Sequence, residues 1–159
     1  MPGMLAKAID AVERGMNDAG MAAPYEFFEH TADIGVHVFG TDLPELFTNA
    51  ARAMYVALGE LKKTGERRQK TVDLQAGSLE DLLHDWLAEL LFEVEAKHVL
   101  YDEMELVVAP GKLTAALRGG VIDFSRSQTN EEIKAITYHQ LRVEQLADGS
   151  WRATVIFDV

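Results

Sequence analysis

Cysteine is absent from this chain of 159 residues. That excludes disulfides, zinc–thiolate centres and thiol catalysis, and it fits a reducing compartment. Long apolar runs are missing too. No stretch approaches the roughly 20 apolar residues that span a bilayer, and the first 24 residues lack the continuous apolar core of a signal peptide. The expectation is a cytoplasmic protein with no membrane contact. Positive charge is scarce: 15 Lys and Arg stand against 26 Asp and Glu, a net charge of −11. Affinity for a phosphate backbone comes from Lys and Arg, so no direct nucleic-acid contact is expected. The balance suits a soluble protein, a cation binder, or a protein that docks on a basic surface. Three signatures are also lacking: the Gly-x-x-x-x-Gly-Lys phosphate loop, the Gly-x-Gly-x-x-Gly dinucleotide turn and the Gly-x-Ser-x-Gly nucleophile elbow. Nucleotide hydrolysis and serine-hydrolase chemistry therefore have no support.

What is present is enough apolar content, 48%, for one folded domain. Leu5, Ile9, Val12 and Met16 recur at helical spacing, which predicts a short amphipathic helix appended over residues 1–24, ahead of a domain spanning 25–159. Alternating patterns predict strands at 25–29 and 34–39. Asp42 and Glu45 form a capping-box pattern ahead of a stripe running from Leu43 to Leu58, and Gly59 stops that helix. Residues 60–69 read as a charged loop, the one locally basic piece of an acidic chain, before a strand at 70–75. Ser78 caps the strongest helix, 79–97, whose apolar face includes Leu82, Trp86 and Leu90. The acidic residues opposite, Glu80 to Glu93, read as a solvated face. Strands follow at 99–101, 103–108 and 112–118, with Pro110-Gly111 as a turn. Residues 119–130 read as a polar loop, and 133–145 as one long strand bulged near His139-Gln140. Asp148-Gly149 turns the chain into a last strand from Trp151. The sum is an α+β domain with a largely antiparallel or mixed β-sheet, two main helices and the N-terminal helix.

Two places concentrate chemistry. One is His30-Thr31-Ala32-Asp33-Ile34-Gly35. The other is the closing strand, which ends on Asp158 and the carboxylate of Val159. If the first and last strands lie side by side, Asp33, Asp158 and Val159 converge, and a hard cation would stabilise that charge. Between them, Lys134, Thr137 and His139 interrupt a strand that should be mostly buried. Lysine is depleted from strands unless paired or at an edge. Of the five histidines, His84 and His98 read as surface residues and His37 points away from the core, which leaves His30 and His139 beside other reactive groups.

At these segments the sequence resembles the archease family. The resemblance rests on His30 to Gly35, Leu46-Phe47 with Ala50-Ala51, Leu82-Leu83 with Trp86-Leu87 and Glu89-Leu90-Leu91, Glu132 to His139, and Val155-Ile156-Phe157-Asp158-Val159, in that order. It implies a small α+β accessory protein, not an enzyme. Its expected partner is the RNA-splicing ligase that joins 3′-phosphate or 2′,3′-cyclic phosphate ends to 5′-hydroxyl ends in tRNA splicing and RNA repair. The expected activity is to promote guanylylation of that ligase and its repeated turnover. The resemblance further implies a bound divalent cation, Ca²⁺ (or Mg²⁺), held by Asp33, Asp158 and Val159. His30, Lys134 and His139 would then support the cation or contact the partner. Two other readings remain: a chaperone-like interaction module, and a Mg²⁺-dependent phosphoesterase using His30 or His139 as base.

Overall fold

The structure is a computed structural model that describes residues 23–30, 32–130 and 132–159. The helix expected within residues 1–24 falls almost wholly outside them. The described elements run β1 (Tyr25–His30), β2 (Asp33–Gly40), α1 (Leu43–Leu58), β3 (Gly59–Glu60), β4 (Lys63–Gln75), α2 (Leu79–Lys97), β5 (Val99–Ala109), β6 (Lys112–Ile122), β7 (Gln128–Thr129), β8 (Ala135–Ile136), β9 (Arg142–Gln145) and β10 (Trp151–Asp158). Every described strand pairing is antiparallel. One sheet has the order β1-β2-β10-β8, with β9 also on β10; a second has the order β4-β6-β5. The α+β, antiparallel expectation holds.

Both helices start where their capping residues direct. Asp42 Oδ1 accepts from the Glu45 amide at 2.9 Å, and Glu45 Oε1 reaches back to accept from the Thr41 amide at 3.2 Å. Ser78 Oγ accepts from the Asp81 amide at 3.1 Å. The two helices touch both sheets and share one core with them. Phe47, Met54, Leu82, Trp86 and Leu90 are fully buried there. Trp86 Nε1 donates to the Phe47 carbonyl at 3.0 Å, so the largest core side chain leaves no unpaired donor and ties α2 to α1.

Alternation in the larger sheet follows from register. Val36 and Val38 on β2 face Val155 and Ala153 on β10, and all four are buried against the helices. The opposite face carries Asp33, Gly35, His37 and Phe39, with Asp158, Ile156, Thr154 and Arg152 beside them.

Five sequence readings are corrected. The strands expected at 99–101 and 103–108 are one strand, β5, with a register irregularity between Tyr101 and Glu103. Glu93, expected on a solvated helix face, is buried and paired with Lys70 and Lys97. Residues 63–69 belong to the 13-residue strand β4, which extends along β6 past an irregularity between Lys63 and Arg67. The loop expected at 119–130 is shorter, because β6 continues to Ile122 and β7 pairs with β3. The long strand expected at 133–145 is two short strands, β8 and β9, both paired to β10. The break is a turn around Gln140, whose φ of 54° no regular strand contains.

Candidate functional site

Asp33 begins β2, one tight turn after β1 ends at His30, and the two residues face each other across the hairpin. Ala32 in that turn has φ 69°, a left-handed conformation that costs a residue with a Cβ about 1–2 kcal/mol. The chain therefore holds strain directly beside the Asp33 carboxylate. On the far side of β2 the pairing with β10 ends at Phe157 opposite Ile34. Asp33 is the first residue of β2 and Asp158 the last of β10, so this antiparallel pairing brings both to the same end of the sheet, on its outer face. Like charges brought near one another across a strand pair repel.

Asp158 is held from its other side as well. It pairs with Ala135 of β8, and its carbonyl accepts from the Lys134 amide at 2.7 Å. Thr137 fixes the chain two residues inward, donating to the Ile156 carbonyl through its amide at 3.1 Å and its hydroxyl at 2.9 Å. The Lys134 side chain is exposed beside this junction. Val159 is half-buried and packs against the core, which fixes the residue following Asp158.

The imidazoles complete the cluster. The His30 and His139 ring centroids are 5.0 Å apart. Gln140 Nε2 lies 3.2 Å from His30 Nε2, so the amide donates there and the neutral ring carries its proton on Nδ1. That Nδ1 is buried without a hydrogen-bond partner and lies 3.9 Å from Asp33 Oδ2. Sequence reasoning missed Gln140, whose position depends on the left-handed turn at that residue. It also missed how the loop is anchored. His84, far from being a plain surface residue, has a side chain only 20% exposed. It donates from Nε2 to the Ile136 carbonyl at 3.0 Å, and its ring stacks on Tyr138 at 4.1 Å. Tyr138 is 58% exposed.

The sheet end thus gathers Asp33, Asp158, Val159, His30, His139 and the backbone of Lys134. His37 shares the outer face further along and stacks on Phe28 at 4.5 Å. His98 stands apart as the left-handed cap of α2. Among the described residues, no three His, Asp or Glu side chains cluster closely enough to hold a metal on their own. Asp33 and Asp158 bring oxygen donors only, the chemistry that suits Ca²⁺ or Mg²⁺ over zinc or copper. No helix among the described residues is long and apolar enough to cross a membrane.

Known proteins share this architecture and sequence. A protein archease from Archaeoglobus fulgidus is 38% identical over 138 residues, covering 85% of this chain and 98% of that protein. The solution structure of Methanobacterium thermoautotrophicum protein 1598 superposes with a TM-score of 0.66 at 28% identity, covering 86% of this chain and 99% of the other. The Thermotoga maritima crystal structure, described as an archease and possible chaperone, gives a TM-score of 0.62 at 26% identity, over 83% and 94% of the two chains. The archease protein family matches residues 25–159, from the first residue of β1 through the Asp158-Val159 end of the candidate site, and the chain belongs to that family.

Proposed function

We propose that this archease-family protein is a cation-binding accessory factor that promotes guanylylation and repeated turnover of the 3′-phosphate/5′-hydroxyl RNA-splicing ligase. The observation that carries the reading is the β2–β10 register, which runs Asp33 and Asp158 to the same sheet end. In this reading Asp33, Asp158 and the Val159 carboxylate hold a divalent cation, Ca²⁺ or Mg²⁺. The cation would supply positive charge at a surface otherwise anionic. His30, set by Gln140, orients the Asp33 carboxylate, and Lys134 and His139 flank the site where a partner would approach. The acidic chain, at −11, complements the basic surface an RNA-binding ligase presents, which favours encounter without competition for RNA. The exposed Tyr138 ring beside the site adds the kind of aromatic anchor that protein interfaces favour.

The chaperone-like reading shares this interaction surface and draws on the description of the Thermotoga maritima relative as a possible chaperone. The two separate in one assay. Ligase, labelled GTP and a divalent metal are incubated with and without this protein, and covalent ligase–guanylate and multiple-turnover ligation are followed. The expected result is a rise in both that is lost in Asp33→Ala and Asp158→Asn. No rise with the unaltered protein overturns the ligase reading. A rise that survives both substitutions overturns the cation's part in it.

A further inference from the structure

The smaller sheet holds a second feature, remote in sequence from the carboxylate pair. A groove of about 620 Å³ opens over its bulged end, lined by Lys63, Arg67, Arg68 and Arg118 together with Glu66, Asp102 and Glu103. Four cations outnumber three carboxylates there, in a chain whose overall balance is strongly the reverse. We propose that this groove is a binding site for a small polyphosphate, and that it acts independently of the carboxylate site.

The backbone builds the groove in a way sheet pairing alone does not require. Register breaks on both neighbours of β6, between Lys63 and Arg67 on β4 and between Tyr101 and Glu103 on β5. Both breaks flank the same pair, Gly119-Gly120. A Cβ on Gly119 would run into the Leu100 carbonyl oxygen, and one on Gly120 would stand 2.9 Å from the Glu66 carbonyl oxygen. The two glycines let three strands close in, while the irregularities on either side re-aim the charged side chains, a use of bulges that recurs beside functional sites.

The lining selects the ligand. It holds no aromatic and no large apolar side chain, so nothing stacks a base and nothing seats an apolar peptide residue. Three of its cations are already engaged: Lys63 with Asp102 at 2.8 Å, Arg68 with Glu66 at 2.9 Å and Arg118 with Glu103 at 3.3 Å. A carboxylate ligand would exchange like for like. A phosphate oxyanion brings more charge and the fork geometry that guanidinium groups match, and exposed ion pairs are weak enough to give way. Among the described residues Arg67 has no carboxylate within 4.0 Å, which leaves its guanidinium available for first contact. The volume lies in the range of small-ligand sites, which suits a chain of phosphates over a single one.

The test titrates sodium tripolyphosphate into the full-length protein in divalent-free buffer, followed by calorimetry and by amide shifts in NMR spectra. Saturable binding is expected, with shifts centred on Gly119 and Gly120, weakening as salt is raised. Arg67→Glu, at an exposed position and with its fold checked by circular dichroism, should lower affinity by roughly tenfold or more, and Asp33→Ala should leave it unchanged. No saturable binding, shifts centred elsewhere, or equal affinity in Arg67→Glu overturns the proposal. Orthophosphate binding as tightly as tripolyphosphate would reduce it to a single-phosphate site and overturn the polyphosphate assignment. A single-stranded RNA binding the groove more tightly with length would overturn it in favour of a nucleic-acid surface.

Discussion

His37 shares the outer sheet face with the acidic pair and shows how one residue sets a pH response. Its Nδ1 is 3.1 Å from Thr154 Oγ1 and its ring lies on Phe28. Burial pushes its pKa below the usual histidine value, the Arg152 charge lowers it further, and Glu26 opposes both. With the folded pKa depressed, the folded chain binds fewer protons here than the unfolded one. The stabilisation is full above the unfolded value of about 6.5 and is lost as pH falls through the folded value. Melting temperature should therefore drop on acidification below neutrality, and His37→Gln should flatten that drop; an unchanged acid limb in the variant would rule His37 out as its source. Legibility at this scale divides by what each residue depends on. Asp33 and Asp158 stand out in the sequence because charges at strand ends break an apolar pattern. Gln140 and His84 do not, because their roles come from a left-handed turn and from a carbonyl 52 positions away.

Elements report the same division. Residues 63–69 contain Lys, Arg, Gly, Glu and Gln, a composition that reads as loop, yet they form a strand because β6 supplies an antiparallel partner; strand propensity yields readily to context. The two helices were legible throughout, since their caps and apolar stripes are local signals. The close approach of three strands at Gly119 gives a test at this scale. Gly119→Ala should cost about 1–3 kcal/mol or more, the range for forcing atoms into packed space, with slackened pairing of β5 on β6. Gly77, where an added Cβ would meet nothing within 4 Å, is the control, and Gly77→Ala should stay within about 0.5 kcal/mol. Urea denaturation measures both, and equal stability of the two variants would refute the packing argument.

For the whole molecule, the α+β class and the antiparallel pairing were readable from strand count and hairpin turns, whereas the placing of both helices against two sheets was not, since a stripe shows that a helix buries one face without naming what covers it. Cation binding, if it closes the repulsion between Asp33 and Asp158, acts on the global equilibrium. Calcium at a hundredfold excess over its Kd adds about 2.7 kcal/mol to folding stability, so the melting temperature of the unaltered protein should rise by several degrees and that of Asp158→Asn should not; equal shifts in both would place the ion elsewhere. The β2–β10 pairing joins His37 to Thr154, 117 positions away, and runs on to Ile34 with Phe157, further apart still. Such a pairing cannot form until nearly all of the described chain has left the ribosome. A nascent or truncated product that stops before β10 therefore displays Asp33 without Asp158, and leaves the Val36–Val38 side of β2 without the strand that covers its edge.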